Sequence, residues 1–222
     1  GQLELDHGGA HLKKDLNYSF VSKSMRNVEQ KKMIARLAAD MVADGDQIFL
    51  DSGTTSFHMA PLIRAKKDLS VIVNSLRTAQ ELQSPNLNVL IIGGHYRPER
   101  MDTIGPMASE ALSRLRGYTA FIGCDGIGMD FGPSSIDLES AHLFSLAVEH
   151  SRKAIVLADH SKFDTLGLFK ISDWQKIATI ITEIEPPQQW LEFFEEKQIN
   201  VVYPQNKIEN QNQNSELQRS RV

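Results

Sequence analysis

What the sequence lacks excludes several classes of protein. Its 222 residues contain a single cysteine, Cys124, which excludes an intramolecular disulfide framework and fits a reducing compartment such as the cytoplasm. The longest purely apolar runs, such as 89–92, are far shorter than the roughly 20 residues that a membrane-spanning helix needs. A positive net charge is also absent, because 24 Lys and Arg stand against 28 Asp and Glu. We therefore do not expect the whole surface to wrap nucleic acid.

The composition is that of a globular chain with short appendages. Hydrophobic residues make up 41% and charged residues 23%, which is ordinary for a folded domain. We expect residues 18–204 to form one domain. Residues 205–222 contain almost nothing apolar and are expected to form a disordered tail. Residues 1–17 are short of core residues, although Leu3 and Leu5 alternate as in a strand, followed by a turn at 7–9.

The rest of the chain alternates between predicted strands and predicted helices. Strands are predicted at 47–50, 69–73, 87–92, 118–122, 154–158, 177–182 and 201–203. Helices are predicted at 28–42, 56–66, 76–82, 107–115, 137–150 and 187–198. Strands separated by helices favour parallel βαβ units. The sequence therefore predicts an α/β fold with an open, mostly parallel sheet and helices on both faces.

Polar or glycine-rich loops follow five of the predicted strands. Ligands of open parallel sheets bind outside the carboxyl ends of the strands, so these loops are expected to share one edge if the strands are all parallel. They are Asp51 to Thr55, Asn74-Ser75, Gly93-Gly94, Asp125-Gly126 and Asp159 to Lys162.

The loop from Asp51 to Thr55 is the best candidate for a binding site. It combines a glycine that permits close backbone approach, three hydroxyl groups and the free N–H groups of a following helix. That combination suits an anion such as a phosphate. The alternative is that Ser52 or Thr54 merely caps the helix. The loop is not a P-loop, because the spacing and the terminal lysine of that motif are absent.

Three further side chains have both a functional and a structural interpretation. Lys162 follows a strand and either meets a phosphate or sugar hydroxyl or is simply solvated. Asp125 lies between glycines and either accepts hydrogen bonds from sugar hydroxyls or serves as a turn residue. Glu139 either faces the site or stabilises the start of its helix through the dipole.

Other features are interpreted as structural. Gly123, Gly126 and Gly128 do not have the spacing of a dinucleotide-binding loop. The histidines show no pair with metal-ligand spacing, so we expect neither a metal nor a cofactor. Cys124 is interpreted as a buried structural thiol, and Trp174 and Trp190 as packing residues.

In this order, the loops resemble those of the effector-binding domain of the bacterial DeoR-type transcriptional repressors. The resemblance runs from Gln2 to Tyr203. Its pieces are "IFLDSGTT" at 48–55, Asn74-Ser75-Leu76, "IIGGHYRPE" at 91–99, Gly105, "AFIGCDGI" at 120–127, Glu139-Ser140-Ala141 and "VLADHSKF" at 156–163. The first ten residues, "GQLELDHGGA", resemble the end of that family's winged helix-turn-helix, whose DNA-reading helices are expected to precede this sequence.

The resemblance implies a fold related to ribose-5-phosphate isomerase and a cytoplasmic, homo-oligomeric repressor of carbohydrate operons. A phosphorylated sugar or its metabolite would relieve repression, and operator DNA would bind to the N-terminal domain. The residues implied to bind the phosphate are Ser52, Gly53, Thr54, Thr55 and Lys162. Those implied to line the sugar are Asp51, Asn74, Ser75, Gly93, Gly94, Asp125, Gly126 and Glu139.

The sequence departs from the family's pattern at three places. Val73 stands where a threonine is frequent, residues 132–135 replace a Gly-Leu-Thr-like run, and Asp164 replaces a frequent glycine. These departures affect the ligand contacts that the resemblance implies.

Two alternatives to a sensor remain. A sugar-phosphate isomerase needs a base and a cation or donor, and Asp51, Asp125, Glu139 and Lys162 supply those residue types. We favour the sensor because an isomerase has no need of a winged-helix remnant. A nucleotide-binding domain lacks its glycine pattern and ranks last.

Overall fold

The structure, a computed structural model, describes residues 3–6, 9–12 and 20–204 of the chain. The strands are β1 (Leu3–Asp6), β2 (Gly9–Leu12), β3 (Gln47–Leu50), β4 (Leu69–Val73), β5 (Leu87–Ile91), β6 (His95–Arg97), β7 (Asp102–Ile104), β8 (Thr119–Gly123), β9 (Gly126–Gly128), β10 (Gly132–Ser135), β11 (Lys153–Leu157), β12 (Phe169–Lys170), β13 (Ile177–Ile181) and β14 (Asn200–Val202). The helices are α1 (Phe20–Ser24), α2 (Val28–Ala39), α3 (Thr54–Phe57), α4 (Ala60–Ile63), α5 (Leu76–Glu81), α6 (Pro106–Ser113), α7 (Leu138–His150) and α8 (Gln188–Glu196).

The apolar runs that the sequence predicts as strands pair into one seven-stranded sheet. Its order is β14-β13-β11-β8-β3-β4-β5, and every neighbouring pair is parallel. The expected open, parallel α/β sheet is therefore confirmed. Because all seven strands run the same way, their carboxyl ends lie along one edge.

Alternate residues of the central strands are buried on opposite faces of this sheet. Ile48 and Leu50 of β3 pack in one core with Ile34 of α2 and Ile63 of α4. Phe49, between them, packs in a second core with residues of α6, α7 and α8. A side-chain period of two on a sheet covered from both sides produces this arrangement. The prediction of helices on both faces is confirmed.

Some boundaries differ from those that the sequence predicts. The helix expected at 56–66 begins at Thr54 and is divided into α3 and α4, with Pro61 in the first turn of α4. Proline has no N–H to donate to a preceding turn, so it fits at a helix start. The first long helix ends at Ala39 rather than Val42.

Two small antiparallel assemblies and one helix are absent from the sequence prediction. They are the hairpin β6–β7, the sheet β12-β10-β9, and α1. These strands have only two to four residues and several are rich in glycine and serine, so they lack the apolar pattern on which strand prediction depends.

The strand expected near the N-terminus is present. β1 spans Leu3–Asp6 and pairs antiparallel with β2, with Leu3 opposite Leu12. Residues 7–8 of the expected turn and the expected disordered tail at 205–222 lie outside the described residues. Among the described residues, no helix has the length and apolar character needed to cross a membrane.

Candidate functional site

A cavity of about 460 Å³ opens at the carboxyl edge of the sheet. Loops that follow β3, β8 and β11 contribute to its wall, together with the segment from α1 to α2. Its lining comprises Phe20, Lys23, Arg26, Asn27, Lys31, Asp51, Ser52, Gly53, Thr54, Thr55, Arg100, Gly123, Cys124, Asp125, Ser135, Ile136, Phe144, Leu157, Asp159, Ser161, Lys162 and Thr165. All of the residues expected to bind a phosphate, and two of those expected to line a sugar, are thus brought together.

The loop after β3 is held in shape by the carboxylate of Asp51. This carboxylate accepts hydrogen bonds from the backbone N–H of Gly53 at 3.1 Å and of Gly123 at 2.8 Å. The bond from Gly53 closes a turn within the loop, and the bond from Gly123 joins the loop to the end of β8. Burial raises the pKa of Asp51, although these hydrogen bonds oppose the rise. Asp51 therefore shapes the floor of the cavity.

The start of α3 retains free donors that face no protein acceptor. Gly53 is the N-cap residue and no side chain caps the helix, so the interpretation of Ser52 or Thr54 as a mere cap is wrong. Within residues 20–204, the hydroxyls of Thr54 and Thr55 make no hydrogen bond with the protein. Since α3 is a single turn, its dipole adds little. The groups that suit an anion are therefore the backbone amides of residues 52–55 and the hydroxyls of Thr54 and Thr55, which we call the anion cradle, together with nearby cations.

Ser52 has a different environment from its neighbours. Its hydroxyl donates to Oδ2 of Asp102 at 2.9 Å, and Asp102 is fully buried. Since a hydroxyl has one proton to donate, Ser52 can offer a ligand its backbone N–H but not its side-chain donor.

The loop after β11 places Lys162 on the cavity wall. Asp159 caps the short 3₁₀ turn His160–Lys162 by accepting from the backbone N–H of Ser161 at 3.0 Å. Phe163 packs edge-on against Trp190 of α8, with ring centroids 5.2 Å apart. The turn is thus fixed at both ends, and Lys162 projects from a rigid support. The interpretation of Trp190 as a packing residue is confirmed, because it is fully buried.

Asp125, after β8, is paired with a cation from α1. Its carboxylate accepts from Nζ of Lys23 at 2.5 Å, from the backbone N–H of Ile136 at 3.0 Å and from the hydroxyl of Ser135 at 3.2 Å. Burial works against ionisation, but the pair with Lys23 and these bonds lower the pKa of Asp125 overall. The neighbouring thiol of Cys124 has its pKa raised to about 12 by burial, so it is protonated at neutral pH.

Lys31 is a buried cation at the back of the same cavity. Its side chain is on the apolar face of α2, and the residue is only 5% exposed. Its ammonium donates to the backbone carbonyls of Lys23 at 2.5 Å and Arg26 at 2.6 Å. Burial lowers the pKa of Lys31 to about 8, and the Asp159 carboxylate opposes this effect. Lys31 therefore ties the α1–α2 segment to the cavity.

The other residues expected to line a sugar lie outside the cavity. Asn74 is buried and donates to the carbonyl of Thr103 at 3.0 Å, while Ser75 caps α5 through the N–H of Thr78. Glu139 is exposed in the first turn of α7, where the dipole favours a carboxylate.

Three glycines complete the set of residues outside the cavity lining. A Cβ at Gly94 would lie 2.6 Å from the carbonyl oxygen of Ile104, and one at Gly126 would lie 2.1 Å from that of Thr165. Close backbone packing therefore accounts for Gly94 and Gly126, whereas Gly93 has open space around it. Their expected contacts with a sugar stay predictions.

Sequence reasoning missed the basic residues that the first helices contribute. Lys23, Arg26 and Lys31 line the cavity, as does Arg100 from the hairpin β6–β7. None of these residues follows a strand of the main sheet. One signal was available, because Lys31 occupies the same helical face as the buried residues Ile34 and Ala35.

A comparison with known protein families shows which family this chain belongs to. The family described as "DeoR C terminal sensor domain" matches residues 26–184, which is more than half of the chain. The chain belongs to the DeoR family. The matched range includes every predicted site residue, and the sequence resemblance is confirmed.

Curated relatives of this DeoR sensor domain are named transcriptional repressors. The repressor CsqR of Escherichia coli K12 is 28% identical, with 92% of this chain and 79% of the relative aligned. The "putative aga operon transcriptional repressor" of E. coli O157:H7 is 31% identical over 83% of this chain and 69% of the relative. The lactose phosphotransferase system repressor of Lactococcus lactis is 32% identical over 87% and 78%.

Solved structures share the fold of this sensor domain. The tetrameric eIF2B-beta2-delta2 complex from C. thermophilum has a TM-score of 0.54 at 19% identity, covering 70% of this chain and 56% of that chain. Ribose 5-phosphate isomerase from Plasmodium falciparum has a TM-score of 0.42 at 23% identity, covering 62% and 54%.

Two departures from the DeoR pattern have structural explanations. Asp164 has a φ of 54°, in the left-handed region where glycine is usual and aspartate is tolerated. Its carboxylate accepts from Nε1 of Trp190 at 3.2 Å, which compensates for the conformation. Val73 is fully buried in the core beside α2 and α4, so an apolar side chain suits that place.

Proposed function

We propose that this DeoR sensor domain binds a phosphorylated sugar, and that binding changes the operator affinity of a DNA-binding domain N-terminal to it. The regulator would act in the cytoplasm on genes of carbohydrate metabolism, as a homo-oligomer. Paired operator half-sites make DNA affinity sensitive to the spacing of subunits, which supports an oligomer. The name of the lactose phosphotransferase system repressor supports a carbohydrate-related role.

The observation that carries the proposal is the charge and donor pattern of the cavity. Five basic and three acidic side chains line it, so basic side chains outnumber acidic ones along its wall. A phosphate monoester carries between about 1.5 and 2 negative charges at pH 7 and three acceptor oxygens. Lys162 and the unpartnered hydroxyls of Thr54 and Thr55 supply matching donors. Within residues 20–204, Lys162 forms no ion pair, so an uncharged sugar would leave its charge without a partner.

The carboxylates next to this cradle favour binding over proton transfer. An isomerase needs a base that is free to move a proton between carbons. Asp51 is occupied by two backbone amides, and Asp125 is paired with Lys23. Glu139 lies outside the cavity. These contacts suit the recognition of sugar hydroxyls, and we infer that the domain is not an enzyme.

A thermal-shift panel tests the proposal. Hexose and pentose phosphates are compared with their parent sugars, each at one concentration. A specific ligand at 100 times its dissociation constant stabilises a fold by about 2.7 kcal/mol, which for a chain of this size raises Tm by about 5–10 °C. We expect at least one sugar phosphate to give such a shift while its parent gives none.

The same panel separates the sensor from the isomerase. Equal shifts with a sugar phosphate and its parent would contradict phosphate recognition. NMR detects whether any sugar phosphate of the panel is converted into its aldose or ketose isomer. Such a conversion would favour the enzyme instead.

A further inference from the structure

The hairpin β6–β7 contributes a pair of charged residues to the cavity. Arg100, in the turn of the hairpin, lines the cavity, and its side chain is 15% exposed. Asp102, at the start of β7, is fully buried behind it. Neither residue belongs to the loops that follow strands of the main sheet.

Asp102 holds Arg100 next to the anion cradle. Its Oδ2 atom accepts from the hydroxyl of Ser52 at 2.9 Å and pairs with Nε of Arg100 at 3.3 Å. Because one oxygen atom contacts both groups, the guanidinium of Arg100 lies beside the loop that begins at Ser52. The position of Arg100 is therefore coupled to the position of the cradle.

A comparison with Arg97 shows that Arg100 retains unused donors. Arg97 donates to both carboxylate oxygens of Asp102 at 2.8 Å, to both of Asp137 and to the hydroxyl of Ser140. Its hydrogen-bonding capacity is consumed by the protein. Within residues 20–204, neither Nη group of Arg100 donates a hydrogen bond to the protein. A guanidinium has five N–H donors, so Arg100 can offer both Nη groups to a ligand.

We propose that Arg100 binds the phosphoryl group of the effector, and that Asp102 is a positioning residue that orients the Arg100 guanidinium beside Ser52. The planar fork of arginine matches two oxygens of a phosphate, whereas the ammonium of Lys162 acts as a point charge. The inference rests on the proposed phosphorylated effector, and it assigns the recognition of that group to two elements rather than to the β3 loop and Lys162 alone.

Calorimetric titration with inorganic phosphate tests the role of Arg100. The chain, Arg100→Gln and Arg100→Lys are compared, with Arg114→Gln as the matched control, since Arg114 is exposed directly after α6 and pairs there with Glu110. Charge-assisted hydrogen bonds contribute about 1.5–3 kcal/mol, so Arg100→Gln should weaken phosphate binding by about 10- to 100-fold. Arg100→Lys should recover part of this loss, and Arg114→Gln should bind phosphate like the unmodified chain.

Asp102→Asn tests the positioning role. We expect weaker phosphate binding, measured below the melting temperature of the variant, because the guanidinium loses its anchor while its charge stays. If Asp102 were only structural, Tm would fall while the dissociation constant for phosphate stayed unchanged.

Failure of this inference is distinguishable from failure of the proposed function. Unchanged phosphate binding in Arg100→Gln, or no phosphate binding by the unmodified chain, would overturn the role of Arg100. The panel of sugar phosphates would then still report on the sensor function. Conversely, phosphate binding could depend on Arg100 while no sugar phosphate of the panel shifts Tm. That result would support the anion subsite and count against a sugar effector.

Discussion

At the scale of single residues, we expect discrimination between a sugar phosphate and its parent to depend on cations such as Lys162. Its loop is fixed by Asp159 and by packing against Trp190, so the ammonium is presented without a large ordering cost. Lys162→Met should weaken the binding of a sugar phosphate by about 10- to 100-fold and leave the binding of the parent sugar unchanged. Titration calorimetry measures both. Lys170→Met is the control, because Lys170 pairs with Asp173 away from the cavity; equal losses for both ligands would contradict the assignment.

The buried ammonium of Lys31 makes the free energy of unfolding depend on pH. Burial lowers its pKa from 10.5 to about 8 in the folded chain. Between these values the unfolded chain binds a proton that the folded chain has released, so the free energy of unfolding should rise with pH from about 8 to 10.5. Urea unfolding at a series of pH values should show this rise in the unmodified chain and in Lys32→Met, whose lysine is exposed. Lys31→Met should lack it, and parallel curves for all three would refute the argument.

How much of the site the sequence predicts depends on where each residue lies. Ser52 to Thr55 and Lys162 follow strands with clear apolar patterns, so the parallel sheet brings them to one edge. Arg26 and Arg100 reach the cavity through the tertiary placement of a helix pair and a short hairpin. A local sequence pattern contains no information on that placement. This is why the sequence does not predict that these basic residues line the cavity.

At the scale of elements, the segment from Phe20 to Asn27 forms one wall of the cavity. Lys23 pairs with Asp125, Asn27 donates to Asp159 at 3.0 Å, and Lys31 holds two backbone carbonyls of the segment. The segment therefore depends on Asp125, which we propose contacts the sugar, and on Asp159 of the same cavity.

Loss of the Lys23 pair should loosen this segment locally. In Lys23→Met, amide hydrogen exchange of residues 20–27 should accelerate about fivefold, the effect of roughly 1 kcal/mol. Amides of β3 and β8 should exchange as before. Lys176→Met, which removes a surface pair with Glu149, is the matched control. Uniform acceleration throughout the chain would show that Lys23 stabilises the whole fold rather than one wall.

The sequence predicts a strand correctly where burial alone determines its pattern of apolar residues. β4 and β11 are rich in Val, Ile and Leu and are covered on both faces, and such segments are recognisable without a partner. β9 and β10 are held by pairing with each other and with β12, while a glycine in β9 permits close approach of a neighbouring backbone. Their conformation is a property of the assembled domain, which the segment's own residues do not specify.

At the scale of the whole molecule, the fold and the family answer different questions. A sheet of this kind occurs in eIF2B subunits as well as in this DeoR sensor domain, so architecture alone does not identify a function. The site distinguishes the possibilities, because its carboxylates are occupied by protein donors while its cations and threonine hydroxyls face the cavity. We propose that a phosphoryl group binds at the start of α3.

Amide NMR of the isotopically labelled 222-residue chain tests that claim most directly. The sugar phosphate that gives the largest thermal shift and its parent sugar are each titrated into the chain. We expect the amide resonances of Gly53, Thr54 and Thr55 to move with the sugar phosphate and not with the parent. Resonance changes confined to other parts of the chain, or equal changes with both ligands, would contradict it.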